Sequence, residues 1–174
     1  RTLAPLGRTL QLAVLVSAAS AAIGTALAWL TTRTDVPLRR LWRTLLPIPL
    51  VFPTFIGAAA FIRTLNPGGL ANDLLNSIGI ERTFELRGLF GAWLVLTLFT
   101  YPYVYLPVAA RLQRLAGSLE ESARVLGDTP GQTFRRIVLP QITSAILAGT
   151  LLVFLYTISD FGAVQLMRYD TLTR

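Results

Sequence analysis

Four stretches of the chain run without a single Asp, Glu, Arg or Lys: Thr9 to Thr32, Thr44 to Ile62, Gly88 to Ala110 and Ile137 to Ser159. They hold 24, 19, 23 and 23 residues. At about 1.5 Å of rise per residue, roughly 20 helical residues cross the ~30 Å hydrocarbon layer of a bilayer. One such run could be a buried core helix. Four of them in 174 residues leave a soluble domain too little polar surface. The pattern predicts an all-α, polytopic transmembrane helix bundle with four spans, residues 1–174 forming one membrane domain. The first run is too long for a cleaved signal peptide and has no cleavage pattern. The chain begins with Arg1 rather than Met, so it is read as a fragment or a processed chain that needs at least one further helix.

Within the runs the sequence places residues that punctuate helices. Pro47, Pro49 and Pro53 lie in the second, and Pro102 and Pro107 in the third. Proline removes a backbone donor and kinks a helix, which a bundle tolerates where neighbours repair the ladder. Pro102 and Pro107 are candidates for pathway kinks, with plain packing as the equal alternative. Ser20, Gly24 and Ala28 recur at four-residue spacing, as do Ala145 and Gly149. Small residues so spaced let helices approach closely.

Composition agrees with a membrane protein. Charged residues make up 14% of the chain, against roughly 25% in soluble domains, and mean hydropathy is +0.57. Sixteen basic residues against nine acidic ones give a net charge of +7, and every basic residue is Arg. Cysteine and histidine are absent. That removes thiolate and imidazole metal sites, Cys nucleophiles and His-based triads, so no catalytic residue is expected. Nine arginines fall in the two connections 32–43 and 111–136, and seven on the other side of the runs. The positive-inside rule then puts those two connections in the cytoplasm, with 63–87 and 160–174 outside. Arginines that flank membrane spans need no nucleic-acid partner.

The connection between the third and fourth runs reads as two short helices around a tight corner. Ser118 is placed to cap the first, with Glu120 and Glu121 in its opening turn, where the helix dipole favours anions. Leu119, Ala123 and Leu126 share one apolar face at helical spacing. Gly127 suits the left-handed position that ends a helix. Thr129, Pro130 and Gln132 then spell a capping box with Pro at the first helical position. Phe134 and Ile137 continue an apolar stripe, and Pro140 opens the last span. The result is a knuckle projecting from the bilayer.

Glu121-Ser122-Ala123, Gly127, Ile137, Leu139 and Pro140 resemble the EAA loop of the permease subunits of binding-protein-dependent ABC importers, with Ser122 in place of the middle Ala. The resemblance implies an importer permease of the bacterial cytoplasmic (inner) membrane. Its coupling loop, 111–139, would dock on an ABC ATPase subunit dimer through Glu121, Ala123, Arg124, Gly127, Thr129, Phe134, Ile137, Leu139 and Pro140. It also implies two further partners, a periplasmic solute-binding protein and a second permease half. The chain itself would hold no cofactor, ATP and Mg being bound by the ATPase. Asn66-Pro67-Gly68-Gly69 lacks the Lys-Ser/Thr ending of a phosphate-binding loop and reads as an outer turn.

Several segments are similar to the first half of ferric-iron permeases: Ala28-Trp29-Leu30, Arg33-Thr34-Asp35 with Pro37, Thr100-Tyr101-Pro102-Tyr103-Val104, and 151–174. Ferric iron, a hard cation, prefers oxygen ligands. Asp160, Tyr169 and Asp170 are oxygen-bearing candidates on the outer face, for iron or for its carrier. Thiamine, polyamine, sulfate and phosphonate permeases are built alike and remain alternatives. A secondary transporter usually holds ionisable residues inside its spans, and the four runs have none. A membrane scaffold would account for the spans but not for the spacing of the loop.

Overall fold

In the computed structural model, residues 3–65, 69, 88–115 and 117–160 are described. Among them the chain is helical, with no strand. The elements are α1 (Leu3–Arg33), α2 (Arg39–Leu45), a 3-10 turn (Ile48–Val51), α3 (Thr54–Leu65), α4 (Gly88–Thr100), α5 (Pro102–Arg114), α6 (Gly117–Val125), α7 (Pro130–Thr133), a π-turn (Phe134–Val138) and α8 (Leu139–Ser159).

Three helical units are long and apolar enough to cross a membrane: Pro5–Arg33, Gly88–Arg114 and Pro130–Ser159. These correspond to the first, third and fourth uncharged runs. The second run is bent where its prolines fall. It is not a straight span: Arg39–Val51 and Thr54–Leu65 meet at 97°, so a fourth crossing exists only if this bent pair counts as one. Pro47, Pro49 and Pro53 are the cause. Three prolines within seven residues remove three consecutive-turn donors, and the backbone falls into a 3-10 turn and then an extended residue at Phe52 (φ −99°, ψ 131°). In the third run Pro102 only marks a seam. Tyr101 N–H still donates to the Thr97 carbonyl at 3.0 Å, and α4 and α5 act as one span.

The core is a three-helix wedge in which α1, α5 and α8 pack on one another, with α4 against α1 and α3 against α4. Leu12, Val16, Val104, Tyr105, Val108, Leu112, Ile142 and Val153 are buried within it. The two small-residue repeats set its thickness. A Cβ on Gly24 would stand 2.8 Å from the Tyr101 carbonyl and 2.9 Å from the Tyr105 nitrogen. From α8, a Cβ on Gly149 would lie 2.7 Å from the Tyr103 carbonyl and from Val104 Cα. So both α1 and α8 approach the α5 backbone closely through a glycine. Pro107 sits inside α5, half-buried, and deprives the Tyr103 carbonyl of its helical donor. That is the carbonyl Gly149 leaves room for.

Polar side chains in the spans are mostly satisfied locally. Thr31, Thr100, Thr150 and Thr157 each donate to a carbonyl four residues back at 2.7–2.8 Å, and Ser20 pairs with Thr100 across the α1–α4 contact at 3.1 Å. The outward face of α8 is apolar, with Leu147, Leu151, Leu152 and Leu155 each more than half exposed. Such a face suits hydrocarbon rather than water.

Candidate functional site

The knuckle, residues 117–138, is built by local chemistry. Helix α6 ends in a Schellman motif: Asp128 N–H donates to the Ala123 carbonyl at 3.0 Å and Gly127 N–H to that of Arg124 at 3.0 Å. Gly127 takes φ +95° there, and a Cβ on it would meet nothing within 4 Å. Its demand for glycine is one of backbone conformation, not of space. Thr129 then caps α7. Its hydroxyl accepts from Gln132 N–H at 3.4 Å, while Gln132 Oε1 accepts from Thr129 N–H at 2.8 Å, closing a capping box with Pro130 in the first turn. Arg136 bridges the corner to Asp128 at 3.2 Å.

The π-turn between α7 and α8 was not legible from periodicity. Pro140 explains it. Without a proline N–H the Arg136 carbonyl has no ordinary helical partner, and Leu139 N–H reaches back five residues to Phe134 instead. The knuckle therefore runs into the last span without a break.

The residues singled out in the sequence divide into two sets. Glu121, Arg124, Gly127, Thr129 and Pro140 are exposed. Ala123 is buried, and Phe134, Ile137 and Leu139 are half-buried. Phe134 stands edge-on to Trp29 of α1, with ring centroids 4.8 Å apart. Arg111 at the end of α5 donates to the Gln141 carbonyl at 3.2 Å, and Arg33 at the end of α1 donates to the Leu112 and Leu115 carbonyls at 3.0 and 3.1 Å. All three main spans are thus tied together beside the knuckle.

Two expectations are corrected here. Ser118 is not the residue before α6, because the helix already begins at Gly117. Leu126 does not share the inward face of Ala123: it is 87% exposed, beside Val125 at 86%. Leu126 follows the last helical residue, so helical spacing no longer governs where it points. The neighbouring pair of apolar residues just before a helix-ending glycine was the available signal, and Val125 was missed. The side chains of Leu119 and Glu120 lie outside the described set.

At the far end of α8, Asp160 is buried and its Oδ2 accepts from the Thr54 hydroxyl at 2.5 Å. The Thr54 and Tyr156 hydroxyls are 3.3 Å apart, and the Tyr156 ring lies 5.7 Å from that of Tyr103. Pro102 is buried at the start of α5. Tyr169, Asp170 and the Asn66–Gly68 turn lie outside the described residues. Among the described residues, no group of three His, Cys, Asp or Glu side chains could hold a metal.

Comparison with known proteins decides the family. Residues 9–168 match the binding-protein-dependent transport system inner membrane component family. The chain belongs to that family. It is 31% identical over 90% of its length to the sulfate transport system permease protein CysT of Salmonella typhimurium, and 31% identical over 97% of its length to a Fe(3+)-transport system permease of Haemophilus influenzae. It is 33% identical over 92% of its length to the inner membrane ABC transporter permease protein YdcU of Escherichia coli. The chain spans 55% of the sulfate permease, 30% of the ferric-iron permease and 56% of YdcU. Its fold matches the crystal structure of an amino acid ABC transporter with histidines at a TM-score of 0.66 and 19% identity, covering 99% of this chain and 74% of that one. This is an all-α ABC permease fold in a membrane protein.

Proposed function

We propose that this chain is a permease half of an ATP-driven importer in the bacterial inner membrane, coupled to a separate ABC ATPase dimer through the knuckle. The observation that carries this reading is the knuckle itself. A corner fixed by a Schellman motif and a capping box presents Val125 and Leu126 to the outside, flanked by Glu121 and Arg124, and passes without interruption into a 30-residue helical unit. Exposed apolar anchors with a polar rim suit a protein groove. ATP and Mg belong to the partner. Closure of the ATPase pair pulls on the knuckle and rocks the spans between inward- and outward-open states, while a loaded periplasmic binding protein acts at the other face.

We infer ferric iron as the solute, supported by the ferric-iron permease that aligns with 97% of this chain. Sulfate is the second reading, supported by an equally identical sulfate permease. The test is ATP hydrolysis by the full permease with its ATPase, against a panel of loaded binding proteins. Stimulation by the ferric-iron carrier alone supports both parts. Stimulation by a sulfate or another carrier keeps the importer and overturns iron. No stimulation by any carrier overturns the importer.

A further inference from the structure

We propose that the Arg39–Arg40 pair at the start of α2 binds the headgroup of an anionic phospholipid, whose acyl chains lie against Leu38, Leu41, Trp42 and Leu45. The stretch from the end of α1 into α2 carries four arginines, Arg33, Arg39, Arg40 and Arg43, against one acid, Asp35. The structure gives these arginines two different roles. Arg33 donates to the Leu112 and Leu115 carbonyls at the end of α5. Arg43 donates through Nε and Nη2 to the Thr31 carbonyl at 3.0 and 2.7 Å. Those carbonyls lie at the ends of their helices, where backbone donors run out. Arg39 and Arg40 serve no helix end and are exposed. Arg39 pairs with Asp35 at 3.7 Å, and a surface pair of that length, with the carboxylate in full solvent, holds neither group firmly. The Arg40 guanidinium has no partner among the described residues. Asp35, Val36, Leu38, Arg39, Arg40 and Leu41 line a recess of about 500 Å³.

The surface beside this pair is apolar and faces outward. Leu38, Leu41, Trp42 and Leu45 are each exposed by 40% or more, and α2 has no buried residue. Among the described residues, Leu38 is the only non-glycine residue at positive φ (φ 58°, ψ 30°). That conformation is costly for a residue with a side chain, and here it buries none of the protein's own apolar surface. A bilayer surface matches both halves of this arrangement, the basic and the apolar. Pro5–Arg33 is a 29-residue helix long enough to cross a membrane, and Arg43 ties α2 back to its last turn. The Arg39–Arg40 pair therefore stands where α1 leaves the hydrocarbon, with Trp42 at the level that indole rings favour. The positive-inside rule makes that surface the cytoplasmic one. A guanidinium fork matches two oxygens of a phosphate, and cations beside the end of a span attract acidic lipids. Two arginines against one exposed carboxylate leave an excess of positive charge, which favours a headgroup of net negative charge over a zwitterionic one.

The proposal goes beyond the importer reading and does not depend on it, because the experiment reads lipid contact rather than transport. The full permease is reconstituted in phosphatidylcholine bilayers that contain brominated phosphatidylglycerol, phosphatidylethanolamine or phosphatidylcholine. Bromine on the acyl chain quenches indole fluorescence on contact, and the quenching lost in Trp42→Phe reports the lipid beside α2. Phosphatidylglycerol is expected to be preferred severalfold over the other two at this position, and less so at high salt. The preference is expected to vanish in Arg39→Gln with Arg40→Gln, and to persist in part when both are replaced by Lys. Arg63→Gln, an exposed arginine in the last turn of α3, is expected to leave it unchanged. Both arginines of the site are exposed, so the glutamine pair is expected to keep the native Tm. Should that Tm fall, Arg40→Gln alone decides, since its guanidinium holds nothing in the fold, and it is expected to weaken the preference severalfold. Equal quenching by the three lipids, or a preference undiminished by the glutamine substitutions, overturns the site. Phosphatidylethanolamine quenching as strongly as phosphatidylglycerol overturns its selectivity for anionic lipid. Absence of Trp42-dependent quenching by any lipid would mean that protein covers α2, and overturns the site as well.

Discussion

The ring of Phe134 meets that of Trp29 edge to face at 4.8 Å, joining the π-turn of the knuckle to the last turns of α1. The two residues are far apart in sequence and belong to different spans. Under the proposed coupling, a pull on the knuckle would reach α1 through this contact as well as α8.

Replacing Phe134 with Ala removes the contact, worth about 0.5–1.5 kcal/mol beyond the area it buries. The variant is expected to insert normally and to hydrolyse ATP, with less solute moved per ATP. The ratio of uptake to hydrolysis in vesicles measures this. An unchanged ratio would mean that α1 is not driven through Phe134.

Gly127 separates backbone demand from steric demand, because its φ is +95° while the space around it is open. A non-glycine residue in the left-handed region costs roughly 1–2 kcal/mol, and more when β-branched. Gly127→Val should abolish uptake while leaving membrane levels intact, and Gly127→Asn, which tolerates that conformation, should retain much of it. Normal uptake by the valine variant would remove Gly127 from the coupling assignment.

Gly149 makes the opposite case, because a Cβ there meets the Tyr103 carbonyl at 2.7 Å. Gly149→Leu forces α8 away from α5, and overpacking of this kind costs about 1–3 kcal/mol or more. Thermal unfolding of the purified complex in detergent should show a lowered Tm. Ala148→Leu, on the exposed face one residue away, should leave it unchanged. Equal effects from the two would deny the close approach at Gly149.

What could be read from the sequence was local. The uncharged runs located three spans because length and the absence of charge are sufficient for that. Gly127 and the Thr129–Gln132 box were legible because caps depend on residues within a few positions. The second run showed its apolar length and its prolines but not the size of the bend, 97°, because charge counting treats the segment as continuous. Leu126 misled because the helical period was extended one residue past the helix. Trp29–Phe134 and Thr54–Asp160 were out of reach, since nothing near either member encodes its partner more than 100 residues away.

The central claim is that the exposed corner of the knuckle receives the ATPase. Val125 and Leu126 are almost fully exposed and make no part of the core, so Leu126→Asp should leave the fold and membrane insertion intact. The direct measurement is co-purification of the ATPase subunit with the full permease carrying this substitution, read beside ATP-driven uptake. The account predicts that the ATPase is lost from the complex and uptake falls with it, at an unchanged level of permease in the membrane. Retention of the ATPase with normal uptake would contradict it.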